Sequence, residues 1–286
     1  MTTTAASGAE GGPVRGPLAQ LRPAREAYRA AFVALVARDL HALRKTLRIF
    51  LPRTIIQPLL LMFVFTYVFP KIGQGVGGAA GAAQFSTRLA AGVVGLAIIF
   101  QGLQAVALPL VTEFGYSKEI EDRVLAPLPV GLVAVQKIVT GMLQGLLAAS
   151  IVFPIAAVVP ATTIHLRINW LELLTLAPLA GWTAASLGLV LGTKVSPAQV
   201  PALFALIVLP ITFLGATYYS WRSLSPIKWL QIGVLINPLV YMSEGFRAAL
   251  TRDPHMNIGF VYLALAGFSA LFTWIGVRGF TSRVVS

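Results

Sequence analysis

A chain of 286 residues that is 57% hydrophobic and only 11% charged, with a mean hydropathy of +0.79, is too apolar for a soluble domain, so lipid must be its main solvent. It has no Cys, which excludes disulfides, thiolate metal sites and thiol nucleophiles, and three scattered His cannot build a metal centre by themselves. The net charge of +12 does not point to nucleic acid as a partner, because the Lys and Arg cluster beside apolar spans, where they report membrane orientation instead.

Residues 1–23 are rich in Thr, Ala, Ser, Gly and Pro with no apolar core, and read as a disordered cytoplasmic tail, not a signal peptide. Over 24–48, Tyr28, Phe32, Leu35, Val36, Leu40, Leu43 and Leu47 recur at helical spacing, with Arg25, Arg29, Arg38, Arg44, Lys45 and Arg48 mostly on other faces. That pattern predicts an amphipathic helix lying on the inner leaflet. The same pattern also serves soluble helices that pack on a partner.

From residue 49 to 286 the chain reads as a membrane domain, with six stretches long enough to cross ~30 Å of hydrocarbon. They are Pro52 to Phe69, Leu89 to Val111, Ile138 to Pro160, Leu171 to Gly192, Val200 to Tyr219 and Ile258 to Val277, and only Arg53 and Glu172 are charged within them. Pro58, Pro109, Pro154, Pro178 and Pro210 fall inside spans, where each leaves a carbonyl unpaired and favours a kink. Gly141 to Gly145 and Gly188 to Gly192 are small-xxx-small pairs that predict close helix packing. With a cytoplasmic N-terminus, fifteen of the twenty-two Lys and Arg fall on the inside, and an even span count returns the C-terminus there. The fold class expected is an all-α polytopic membrane protein: six transmembrane helices, an N-terminal interfacial helix, and re-entrant helices before the sixth span.

Those re-entrant helices are expected in Ser220 to Asn257, too apolar for a plain loop and too polar for a span. Asn237 and Pro238 supply an N-cap and first-turn proline, Leu239, Met242, Phe246 and Leu250 form a stripe around Glu244, and Arg247 and Arg252 close the end. Such a half-helix can dip into a leaflet if protein covers its backbone.

Catalytic signatures are missing. The only Lys-Thr pair, Lys45-Thr46, follows Arg44 where a P-loop needs Gly, and neither G-x-S-x-G nor H-E-x-x-H occurs. No carboxylate sits mid-span, which disfavours an ion-coupled secondary transporter. A lipid-modifying membrane enzyme, the other rival, would have to use the acids near Glu113, which lack a His partner or metal-ligand spacing. Those acids belong to the densest charge in the chain, the connection after the second span, with Glu113, Lys118, Glu119, Glu121, Asp122 and Arg123. Lys118 to Asp122 and Glu119 to Arg123 are i,i+4 pairs, which suits a short surface helix before Pro127 and Pro129.

The run KEIEDRVLAPLPVGLVAVQKI resembles the segment before the third span of type-2 ABC transporter permeases, particularly the daunorubicin-resistance exporter kind. The later NPLVYMSEGFRAAL resembles that family's Asn-Pro-Leu helix ahead of the sixth span, and the likeness extends from about Arg38 to the C-terminus. The resemblance implies two permease subunits, as a homo- or heterodimer, assembled with two separate P-loop ATPase subunits. ATP and Mg would then be bound by those partners, with no cofactor, catalytic residue or metal in this chain. A coupling helix would span Glu113 to Leu128, with Glu119, Glu121, Asp122 and Arg123 as its chief polar contacts and Leu125 and Pro127 in its Leu-small-Pro end; Lys194 to Gln199 would make a minor second contact. Tyr28 to Leu47 would be the family's connecting helix, Ser220 to Arg252 its outer re-entrant helices, and spans two and five the lining of a path that includes Gln101, Gln104, Thr212 and Phe213. The function implied is ATP-driven export of an amphipathic drug, lipid or glycolipid across a bacterial cytoplasmic membrane.

Overall fold

The computed structural model describes residues 24–74, 78–117, 128–161, 164 and 166–285. Six helices dominate: α1 Ala24–Phe63, α2 Gly78–Thr112, α3 Val130–Val158, α4 Trp170–Lys194, α5 Pro238–Leu250 and α6 Ile258–Val285, and no strand occurs among the described residues. The chain is therefore an all-α polytopic membrane protein. All but α5 belong to helices long and apolar enough to cross a bilayer.

The bundle is organised around α2, which packs on α4, α3 and α5, while α6 leans on α4 and α1 on α3. The reason is compositional. Residues 89–99 of α2 are small or branched apolar groups almost wholly inside the protein, including Leu89, Ala91, Val93 and Ile98 at 0% exposure. Glycines let the neighbours close in: a Cβ at Gly188 of α4 would stand 2.5 Å from Leu103 O of α2, and one at Gly145 of α3 3.3 Å from Ile98 O. The two small-residue pairs thus serve close packing, as their spacing predicts.

Two segments differ from expectation. Residues 24–48 are not a separate helix: α1 runs unbroken for 40 residues, ~60 Å, through the expected surface segment, past Pro52 and Pro58, and on into the first span. No Gly, Asn or Pro interrupts 24–48 to end a helix, and a proline further on costs one intrahelical bond without obliging a turn. The stretch expected as the fifth span, Val200 to Tyr219, is a composite: Pro197–Gln199 is 3-10, Val200–Leu203 α, Phe204–Val208 π and Leu209–Phe213 α, followed by turns. Pro197, Pro201 and Pro210 remove backbone donors along it, so regular i to i−4 bonding cannot persist. A similar π turn, Val64–Val68, follows α1.

After the composite segment come a 3-10 turn at Trp221–Leu224, a short helix at Lys228–Gly233 and then α5. Helix α5 is enclosed by α2, α4 and α6, and twelve of its 13 residues are buried.

Candidate functional site

Pro129 (ψ 136°) brings the chain into α3 already extended, so that Gln136, Thr140 and Gln144 follow at intervals of four residues and share a face, with Lys137 beside them. Opposite, α2 presents Gln101, Gln104, Leu108 and Thr112 at three- and four-residue spacing and ends immediately before Glu113. Asp39, Thr46 and Thr54 of α1 complete the third wall. The result is a polar seam through an apolar bundle. It borders a cleft of about 700 Å³ whose lining includes Asp39, Gln104, Glu113, Lys137 and Gln144. At Gln101 and Gln104 the cleft meets a small recess against Thr54, Gln57 and Phe100.

Each polar residue named in the seam has at least one partner, though Gln136 Oε1 itself has none among the described residues. Lys137 Nζ donates to Glu113 Oε1 at 2.6 Å with both residues 5% exposed, a pairing that keeps both charges tolerable away from water. Gln136 Nε2 donates to Asp39 Oδ2 at 2.9 Å and to Thr140 Oγ1 at 3.0 Å, joining α1 to α3. Higher up the bonds are longer: Thr54 Oγ1 reaches Gln101 Oε1 at 3.4 Å, and Gln101 Nε2 reaches Gln144 Oε1 at 3.5 Å. Interhelical bonds of this kind contribute on average about 0.6 kcal/mol each inside a membrane. The amides can therefore exchange partners at small cost.

Glu113 opens a π-helical turn, Glu113–Ser117, which is fastened to three other elements. The Phe114 ring meets Phe280 of α6 at 5.8 Å, and the Arg283 guanidinium stands 4.7 Å above Phe114 while donating to Thr193 O at the end of α4 at 2.8 Å. A Cβ added to Gly115 would collide with the Pro197 ring, so the second expected contact, Lys194 to Gln199, lies directly alongside. Leu128 is buried in the same apolar cluster as Phe280, Ile138 and Leu189. Both ends of the predicted coupling segment are thus anchored in the bundle. Lys118, Glu119, Glu121, Asp122, Arg123, Leu125 and Pro127 lie outside the described residues. Glu113, expected among surface contacts, is turned inward to Lys137.

Of the four residues expected along a path, Gln101 and Gln104 come together in the seam. Thr212 and Phe213 do not line it: Thr212 Oγ1 bonds back to Val208 O at 2.7 Å, and Phe213 is 62% exposed beside Tyr218.

At the opposite end of the bundle, Asn237 caps α5 by accepting from Leu239 N at 2.9 Å and donating Nδ2 to Ile211 O at 2.8 Å, with Pro238 in the first turn. Glu244 and Arg247, both at 0% exposure, form an i,i+3 ion pair at 2.5 Å. Glu244 also accepts from Trp221 N at 2.7 Å and Met256 N at 2.8 Å, while Arg247 Nη2 donates to Ala216 O and Tyr219 O. One pair therefore ties three irregular segments to one helix. Among them is Ala216, whose φ of 53° a non-glycine residue adopts only when its surroundings compel it.

Asp39, Gln136, Lys137, Thr140 and Gln144 were not singled out by the sequence. The four-residue spacing of Gln136, Thr140 and Gln144 within an apolar helix was the available signal. The pairing of Lys137 with Glu113, 24 positions away, had none.

A family model described as ABC-2 type transporter matches residues 30–251, from the second turn of α1 to just past the end of α5. Among curated proteins, the inner membrane transport permease YadH of Escherichia coli strain K12 is 25% identical over 224 residues, 77% of this chain and 82% of the relative. The protein of that name from Shigella flexneri matches to the same extent.

Proposed function

This chain belongs to the ABC-2 type transporter family, and from that premise we propose that it is the exporting permease subunit of an ATP-driven pump in a bacterial inner membrane. It has no P-loop of its own, so the energy must come from separate ATPase subunits that bind ATP and Mg. The partner docks on the segment from Glu113 to Leu128, with Glu119, Glu121, Asp122 and Arg123 as its chief polar contacts. A second permease subunit completes the transporter. The exposed apolar residues Ile56, Leu60 and Phe63 of α1 and Leu206, Leu209 and Phe213 of the composite segment suit either that subunit or lipid.

The observation that carries this reading is the double anchoring of the docking segment. A force applied between Glu113 and Leu128 reaches α6 through Phe114 and Phe280, and is delivered chiefly to α2, which ends directly before Glu113, and to α3, which Glu113 meets at Lys137 and Leu128 meets at Ile138. Those two helices are two walls of the polar cleft, so closure of the ATPases would change the cleft's width, the event alternating access requires. In this orientation the Glu113 end faces the cytoplasm, both termini are inside, and α5 with its flanking turns forms the outer re-entrant unit. The chain crosses the bilayer six times, with the composite segment as the fifth crossing.

A cleft that sets amides, hydroxyls and an internal ion pair among apolar residues such as Leu43, Ile49, Phe50 and Leu108 favours an amphipathic cargo, such as a drug, lipid or glycolipid, over a small inorganic ion. The test is reconstitution with a P-loop ATPase that co-purifies with it. Glu121→Lys with Asp122→Lys should leave the chain inserted and ATP hydrolysis running while transport is lost. Unchanged transport would remove the docking assignment, and transport without any ATPase would make the chain a secondary carrier.

A further inference from the structure

The Arg88 end of the bundle holds more positive charge than its acids neutralise. Arg247 is matched by Glu244, and Arg88 by Asp253 at 2.6 Å. Gln84 Nε2 donates to the other Asp253 oxygen at 2.8 Å, so that carboxylate is fully engaged. Arg167 and Arg252 remain, both exposed, and neither side chain has a hydrogen bond or ion pair among the described residues. Glu172, the acid nearest Arg167 in the chain, does not contact it.

Backbone geometry places these two arginines together. Arg167 N donates to Leu250 O at 2.9 Å and Asn169 N to Ala249 O at 2.8 Å, which stitches the connection before α4 to the last turn of α5, directly ahead of Arg252. Thr251 Oγ1 then donates to Arg247 O at 2.7 Å and accepts from Asp253 N at 3.2 Å, fixing the turn that carries Arg252. Both arginines line one cavity of about 360 Å³, with Gln84, Thr87, Thr251 and Asp253 as its polar neighbours. Two unpaired guanidinium groups on a shared concavity repel each other unless an anion lies between them, and their planar forks match tetrahedral oxyanions.

We propose that this cavity is a phosphate-binding site, with Arg167 and Arg252 as the residues that hold the anion. The inference goes beyond the transport reading, since it needs only the cavity and its charge; the orientation decides merely which leaflet the site faces. The phosphate can belong to a lipid headgroup at the membrane surface or to a soluble molecule, and the two sources separate experimentally.

The full chain is purified in dodecyl maltoside, a detergent without phosphate. One arm titrates inorganic phosphate against chloride at equal ionic strength and follows thermal unfolding; the other adds phosphatidylglycerol and counts retained lipid by native mass spectrometry. Wild type should show a phosphate-specific stabilisation if the anion is soluble, or retain phosphatidylglycerol if it is a headgroup. Arg167→Gln/Arg252→Gln should weaken the effect by roughly tenfold or more, the equivalent of losing charge-assisted hydrogen bonds. Arg222→Gln/Lys228→Gln, which removes two charges from the 220–228 region outside the cavity, should leave it intact. If the double variant does not fold, each single Gln variant should still weaken binding. The proposal is overturned if wild type favours neither anion, if neither single variant weakens binding, or if the control pair loses as much.

Discussion

Lys137 keeps its ammonium inside an apolar helix with Glu113 as a partner at 2.6 Å, a pairing that offsets the cost of burying either charge. Glu113→Gln alone should therefore lower stability by about 3–5 kcal/mol, and Lys137→Met alone by a similar amount. Combining them should recover much of the loss, because neither charge of the pair is then buried without the other. Thermal unfolding of the four proteins in detergent checks this, and additive losses would show that the pair is not the dominant interaction of either residue. The Glu244–Arg247 pair should behave differently. Glu244 also satisfies the backbone amides of Trp221 and Met256, and Arg247 the carbonyls of Ala216 and Tyr219. Glu244→Leu/Arg247→Met should stay about 3 kcal/mol or more below wild type, since each orphaned backbone group costs roughly 1–3 kcal/mol. The same melting measurement decides, and a stable double variant would mean that water or other groups replace the pair. Of these two charge pairs, the second was partly legible beforehand, because Glu244 and Arg247 stand three apart on a predicted helix. The first joins residues on different helices, and nothing local couples them.

Among elements, α2 and α4 approach so closely at Gly188 that a single methyl has nowhere to go. Gly188→Ala should destabilise by about 1–3 kcal/mol through overpacking against the Leu103 backbone, despite the higher helix propensity of alanine. Gly267→Ala in α6, where a Cβ meets nothing within 4 Å, should be neutral or stabilising by up to about 1 kcal/mol. Comparing the two melting temperatures removes propensity as the explanation, and equal shifts would refute the close approach. The proline-rich composite from Pro197 to Phe213 shows the limit of hydropathy. Its apolar length predicts a span, yet the missing donors at Pro197, Pro201 and Pro210 divide it into 3-10, α and π pieces. At α1 the pattern and the backbone part the other way, because a change of surface pattern near residue 48 predicts a new element while the helix continues through it.

For the whole molecule, orientation is the property on which the proposed drive depends, and the lack of Cys makes it directly measurable. Single cysteines at Glu119 and at Arg222 should divide cleanly in intact cells: a membrane-impermeant maleimide should label Arg222→Cys, while Glu119→Cys should react only after the membrane is opened. Labelling of Glu119→Cys from outside would place the docking segment on the wrong face and end the ATPase-coupling proposal.

The sequence by itself determined that this chain lives in lipid, that it is all-helical, where its main apolar helices run, and that it resembles a type-2 ABC permease. Each of these is encoded locally, in runs of apolar residues, in Pro and Gly positions and in short ordered motifs. Only the tertiary structure decided which polar residues meet: Gln101 and Gln104 join Gln144 and a buried Lys137–Glu113 pair, Thr212 and Phe213 stand apart, and Arg167 comes to share a cavity with Arg252. Hydropathy sees such residues only as small interruptions in an apolar background. Their partners are chosen by how helices pack, and that packing is fixed by contacts far apart in the chain.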